Sequence, residues 1–144
     1  MTTSLSRPDE VREFYQQPTV ADTYLELRTM QPVGRVLHEA QVAFVNRVIA
    51  RLRPARVLEL APGPGRLTAE VRGHFRGVAV ERSGPMLGHA RRRVDGTGEA
   101  RWQFIHGDAF ALPLGDGTFD LAYTIRFIRH FRFVDRRSLY REIH

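Results

Sequence analysis

The sequence predicts an α/β domain in which a parallel sheet follows a run of helices, and three observations carry that expectation. Residues 1 to about 53 have helical periodicity, and from Arg56 onward strand-like apolar runs alternate with helical ones. A Gly-Pro-Gly turn, Gly63 to Gly65, closes the first of those strands just after an acidic residue, Glu59.

Ser6 or Asp9 can cap a first helix running through Gln16, and a second spans Thr19 to Met30. Gly34 breaks the run. A third helix follows to about Leu52, with Leu37, Phe44, Val45, Val48, Ile49 and Leu52 recurring at three and four residues, the stripe of a helix packed on a core. Pro54 ends it. Strands are expected over Arg56 to Leu60, Gly77 to Glu81, Trp102 to His106 and Phe119 to Thr124, with helices over Arg66 to Gly73 and Gly84 to Val94. The connection 107 to 118 contains Pro113, Gly115 and Gly117 and reads as a loop of the kind that borders ligands.

The turn after the first strand is where chemistry is expected. Val57, Leu58 and Leu60 suit a buried parallel strand, Gly63 and Gly65 permit positive φ or close backbone approach, and Leu67 to Val71 can open a helix. A dinucleotide fingerprint needs Gly or Ala at position 68, where Thr68 stands, which places a nicotinamide oxidoreductase last among the readings. A phosphate-cradling loop needs a lysine, and the chain has none. Glu59 sits where a carboxylate can meet an ammonium group, while helix N–H groups face a carboxylate, a pairing that suits a zwitterionic amino acid. The alternative is a plain turn with Glu59 solvated.

At 144 residues and 42% hydrophobic, the chain can build one core and is not a disordered sequence. The absence of cysteine excludes disulfides, thiolate metal sites and a cysteine nucleophile, and metal catalysis is not expected. The N-terminus has neither an apolar signal core nor a basic leader, and no apolar run reaches the roughly 18 residues of a membrane span, so a cytoplasmic protein without a membrane partner is expected. All 22 basic residues are arginine, with a net charge of +6 and a pI near 10.9, which raises nucleic acid as a partner without favouring it. The densest group, Arg126, Arg129, Arg132, Arg136, Arg137 and Arg141, is spaced to put several on one helical face, as a solvated face ahead of an anionic-substrate or RNA-facing patch.

The segment VLELAPGPG, residues 57–65, resembles motif I of the class I S-adenosylmethionine-dependent methyltransferases, an acid followed by Gly-x-Gly-x-Gly. Two further stretches stand in that family's order. VAVERSGPMLGHARRR, residues 78–93, is similar to its second strand, which ends in an acid before a Ser-x-x-Met-Leu helix start. FIHGDAFALPLGDGTFDLAYT, residues 104–124, is similar to its Gly-Asp-Ala, Leu-Pro, Phe-Asp-Leu signature. The likeness is to the broad type 11-like group acting on small molecules. One residue departs: Ala61 replaces the first family glycine, a change tolerated where the backbone keeps negative φ.

The resemblance implies an N-terminal helical lid over 1–53 and a partial Rossmann-like S-adenosylmethionine-binding domain over 54–144. The family strand order 3-2-1-4-5-7-6 is cut to 3-2-1-4, because the family continues past a segment like LYREIH into a Pro-Gly-Gly turn and three more strands. Strand 119–124 then becomes an edge exposing Leu121, Ala122, Tyr123 and Ile125, which invites self-association.

The implied cofactor is S-adenosylmethionine, bound by Glu59, Ala61, Pro62, Gly63 and Gly65 of the first motif, Glu81, Arg82 and Met86 of the second, and Asp108, Ala109 and Thr124 of the third. Beyond the carboxyl ends of the strands, Glu81 can accept both ribose hydroxyls while Arg82 and Met86 border the adenine. Asp108 accepts the adenine amino group, the Ala109 N–H meets a ring nitrogen, and Thr124 brings backbone near the sulfonium; Asp120 orders the loop. The implied activity is methyl transfer to an unidentified small-molecule acceptor. The alternatives are a truncated cofactor-binding or interaction module without turnover, and an RNA methyltransferase fragment. A sulfonium methyl is already electrophilic, so transfer mainly needs an acceptor about 3 Å away with water excluded, and no catalytic residue is assigned. His130 is the first residue to test as a base for a hydroxyl acceptor. Tyr15, Tyr24 and Arg28 belong to the lid, with Arg28 facing the cofactor carboxylate.

Overall fold

A computed structural model describes residues 8–29, 32–98 and 100–144. Three helices lead: α1 (Pro8–Gln16), α2 (Pro18–Thr29) and α3 (Pro32–Leu52). Each starts on a proline, whose fixed φ suits the first turn and whose missing N–H has no partner to lose there. The new helix therefore begins at Pro32, and Gly34, expected to interrupt the run, lies inside α3. A helical glycine costs only about 1 kcal/mol, too little to end a helix of 21 residues. Ser6 and Met30 lie outside the described residues.

The sheet is β1 (Arg56–Leu60), β2 (Arg76–Glu81), β3 (Trp102–His106) and β4 (Leu121–Tyr123), every pairing parallel, in the order β3-β2-β1-β4 expected for the Rossmann-like class. In register, Leu58 lies beside Val78 and Ala122, and Glu59 beside Ala79 and Tyr123. Alternation along the strands then makes two cores. On one face Val57 packs with Val45 and Ile49 of α3 and with Leu67, Val71 and Phe75. On the other, Leu58, Leu60 and Val80 pack with Ala109 and with Leu139 of the final helix, α5 (Phe133–Ile143). Between β2 and β3, α4 (Gly84–Asp95) is capped by Ser83, whose Oγ accepts from Met86 N.

Three expectations are corrected. The helix expected over Arg66 to Gly73 is a single 3₁₀ turn, Thr68–Glu70, because Asn46 of α3 takes its end. Asn46 Oδ1 accepts from Arg72 N at 2.7 Å and its Nδ2 donates to Glu70 O at 3.1 Å, the groups a longer helix would use internally. The stripe on α3 is narrower than its periodicity implied: Val45 and Ile49 are buried, while Leu37, Phe44 and Leu52 are 42%, 60% and 58% exposed. The helix meets the sheet along Val42, Val45 and Ile49, and its remaining apolar positions face away from that line. The arginine cluster does not form one helical face, since only Arg136, Arg137 and Arg141 belong to α5; Arg126 and Arg129 precede it and Arg132 is its N-cap.

β4 is three residues long and, among the described residues, pairs only with β1, so it forms an edge with Leu121, Ala122 and Tyr123 half-buried. Just before it, Asp120 Oδ2 accepts from Ala55 N and Arg56 N, each at 2.9 Å, and so fixes the start of β1. Among the described residues no helix is long and apolar enough to cross a membrane.

Candidate cofactor site

Beyond the carboxyl ends of β1, β2 and β3 lies a cleft of about 780 Å³, open mouth included. Its polar side is built on the end of β2. Glu81 is only 7% exposed; its Oε2 accepts from Gly63 N at 3.0 Å and its Oε1 from Ser83 N at 2.8 Å. Burial raises the Glu81 pKa, opposed by those backbone N–H groups and the nearby His106. Two donors thus orient the carboxylate, and a carboxylate has acceptor sites left for a ligand.

The next two residues fasten neighbouring segments to the same point. The Arg82 guanidinium pairs with Asp108 Oδ2, and Asp108 Oδ1 accepts from Phe110 N at 3.0 Å. The Arg82 carbonyl receives Gln16 Nε2 of α1 at 3.0 Å and His106 Nε2 at 2.7 Å. Ser83 Oγ donates to the Tyr15 carbonyl. The end of α1 is therefore held directly over the end of β2.

The turn after β1 is left-handed at three places, Ala61 (φ 53°), Gly63 (φ 59°) and Gly65 (φ 73°). The negative φ expected at Ala61 is thus overturned. Ala61 N still bonds to Val80 O at 2.9 Å, extending the β1–β2 ladder by one residue, and the chain must then swing across β2 for Gly63 N to reach Glu81. A β-carbon on Gly63 would meet nothing within 4 Å, whereas one on Gly65 would lie 2.8 Å from Ala90 Cα of α4. The first glycine faces open space, and the second lets the turn press on a helix.

Glu59 is neither solvated nor in the cleft. It is 3% exposed, on the α3 face of the sheet, beside Thr68 and Tyr123. Burial lifts its pKa from 4.5 to about 7, while the Thr68 and Tyr123 hydroxyls pull it down and Glu81 adds a smaller upward push. Glu59 Oε2, Thr68 Oγ1 and Tyr123 OH are all buried without completing a well-formed hydrogen bond.

Of the residues singled out from the sequence, Ala61, Gly63, Glu81, Arg82, Met86, Asp108 and Ala109 line the cleft, together with Tyr15, Tyr24 and His130. Glu59, Pro62, Gly65 and Thr124 do not. Pro62 O accepts from Gly65 N within the turn, and Thr124 Oγ1 donates to Leu60 O at 2.8 Å, because both serve the backbone around β1. The Arg28 side chain lies outside the described residues. Sequence reasoning missed the apolar side, where Phe131 meets Phe127 and Phe110 edge-on with centroids 4.7 and 5.0 Å apart, and His130 meets Tyr15 at 5.9 Å. Scattered phenylalanines carry no spacing that announces such a wall. Ser83 stood in the sequence only as part of a helix-start motif, and its bond to α1 carried no signal there.

A parallel 3-2-1-4 sheet with a left-handed turn after its first strand and an oriented carboxylate ending its second defines a Rossmann-like domain with a ligand cleft at its switch point. Residues 57–144 match the family described as "Methyltransferase domain", and the chain belongs to that family. It is 33% identical over 124 residues to demethylmenaquinone methyltransferase of Clavibacter sepedonicus, covering 84% of this chain and 47% of that protein. To the enzyme of the same name from Thermus thermophilus it is 42% identical over 78 residues, covering 51% of this chain and 34% of the relative. The chain therefore spans half or less of the length of these two relatives. Magnesium protoporphyrin IX methyltransferase from Synechocystis PCC 6803, solved with S-adenosylmethionine bound, shares the fold: TM-score 0.74, 15% identity, 99% of this chain and 71% of that one covered.

Proposed function

We propose that the chain binds S-adenosylmethionine and serves methyl transfer from it to a small-molecule acceptor. The observation that carries this reading is Glu81: a buried carboxylate, held by the N–H groups of Gly63 and Ser83, opening on the same cleft as Asp108. The residues fit the cofactor. Glu81 takes the ribose hydroxyls; Asp108, steadied by Arg82 and by Phe110 N, takes the adenine amino group beside the Ala109 N–H. Met86 and Arg82 border the ring, and Ala61, Gly63 and Pro64 present backbone to the amino-acid end, with Thr124 holding Leu60 O just before that turn.

When bound, the cofactor supplies an electrophilic sulfonium methyl. The chain supplies position and dryness: α1 and α2 act as the lid, with Tyr15 and Tyr24 closing the cleft against water. His130 lines the cleft beside Tyr15, and in this reading it takes the proton of a hydroxyl acceptor. The aromatic side of the cleft suits a planar, largely apolar acceptor, in keeping with the quinone chemistry named for the relatives.

Calorimetric titration with S-adenosylmethionine and S-adenosylhomocysteine, with NADH as control, tests the reading. Saturable binding lost in Glu81→Ala supports it; a folded chain that binds neither sulfur nucleoside sinks it. Binding without turnover on any acceptor assigns the chain to cofactor binding alone. The edge that β4 presents among the described residues favours one further property, self-association, which sedimentation velocity across a concentration series will report.

A further inference from the structure

At the opposite end of the sheet, a groove of about 1050 Å³ with its open side shares no residue with the cofactor cleft. Its floor is Val78 and Ile105, and its wall is Leu114 and Phe119 from the loop leading to β4. At its rim Arg56 and Arg76 open β1 and β2 as direct register partners. In a parallel pair, partners project to the same face, so two guanidinium groups extend side by side from the face that carries Val78 and Ile105. Like charges so paired repel. Both arginines are exposed, and neither guanidinium forms an ion pair among the described residues; the Asp120 carboxylate beside Arg56 is taken up by the backbone N–H groups of Ala55 and Arg56. The groove's third arginine, Arg101, is engaged elsewhere: it donates to Gly73 O and lies 5.4 Å over the Phe75 ring.

We infer that this groove binds an anionic amphiphile, a single alkyl chain bearing a carboxylate or phosphate head. The head lies between Arg56 and Arg76, relieving their repulsion with charge-assisted hydrogen bonds, and the chain runs over Val78 and Ile105 against Leu114 and Phe119. Each half of the surface explains the other: paired cations alone suit any anion, and an apolar strip alone suits any hydrophobe.

Trp102, the only tryptophan, borders the groove and reports on it. The full chain is titrated with dodecyl phosphate and with laurate, below their micelle concentrations, following Trp102 fluorescence. Inorganic phosphate and dodecyl maltoside supply the head and the chain separately. The expected result is saturable binding of both anionic amphiphiles, at least tenfold weaker for either control and at least tenfold weaker in the Arg56→Gln/Arg76→Gln double variant. Circular dichroism and S-adenosylmethionine titration check that the variant keeps its fold and cleft. Equal binding of inorganic phosphate reduces the site to a simple anion contact, equal binding of the maltoside reduces it to a greasy surface, and an unchanged double variant removes the arginines; each overturns the inference, as does no response at all.

Discussion

Ala61 stands in the left-handed region at φ 53°, one of three such residues in the turn, which allows a graded test of the turn itself. An L side chain there costs roughly 1–2 kcal/mol. Replacing it by glycine removes that strain but loosens the unfolded chain by about 0.4–1 kcal/mol, so Ala61→Gly should stabilise by about 1 kcal/mol or slightly less. The converse changes separate strain from packing. Gly63→Ala, with open space around the new methyl, should cost about 1 kcal/mol. Gly65→Ala places a carbon 2.8 Å from Ala90 Cα, which only a shift of α4 can relieve. Overpacking adds about 1–3 kcal/mol to the strain, so a loss near 3 kcal/mol is expected. Urea unfolding measures all three. With a slope of about 2 kcal/mol per M, Ala61→Gly moves the midpoint up by roughly 0.5 M and Gly63→Ala down by a similar amount. If Ala61→Gly lowers the midpoint, or Gly65→Ala is no worse than Gly63→Ala, the left-handed turn pressed on α4 is wrong.

Three further outcomes are expected. Because burial raises the Glu59 pKa from 4.5 to about 7, the folded chain keeps a proton that the unfolded chain has released between those values. Stability therefore falls as pH rises through that window, by at most about 1.4 kcal/mol per pH unit for this group, and levels off above it. Urea midpoints in that range should show the slope, and Glu59→Gln should reduce it, the remainder coming from Glu81, whose pKa burial also raises. Asp120→Ala removes both hydrogen bonds that fix the start of β1 and should cost about 1–3 kcal/mol in the same assay, whereas a change below 0.3 kcal/mol would make the contact incidental. Gly77→Ala drives a methyl to 2.4 Å from the Trp102 ring, so a loss of about 1–3 kcal/mol should accompany a shift in tryptophan emission.

The strands were legible because their signal is local: Val57 to Leu60, Val78 to Val80 and Phe104 to Ile105 are short apolar runs, and β1 and β3 begin and end as expected. The strand order came from three motifs in sequence, Glu59 to Gly65, Glu81 to Met86 and Gly107 to Ala109. What stayed hidden depends on partners far along the chain. Asn46 shortens the helix after the turn from 26 residues away. Glu59 reads from sequence as a ligand residue but lies under Thr68 and beside Tyr123, because only the register of β4 on β1 shows which side-chain row it joins. The α3 stripe was overread for a related reason: periodicity gives the apolar face but not the width of sheet available to cover it.

The joints between α1 and β2 share an economy of parts. Ser83 grips the main chain of Tyr15, and Gln16 grips the main chain of Arg82, so each clasp is made of one side chain and one peptide oxygen. The two residues held by their peptides are also two whose side chains look into the cleft. Positions 15 and 82 can therefore change their chemistry without undoing the clasp. Lineages, or experimenters, can retailor what the cleft recognises at those points while the roof stays hung from the same hooks.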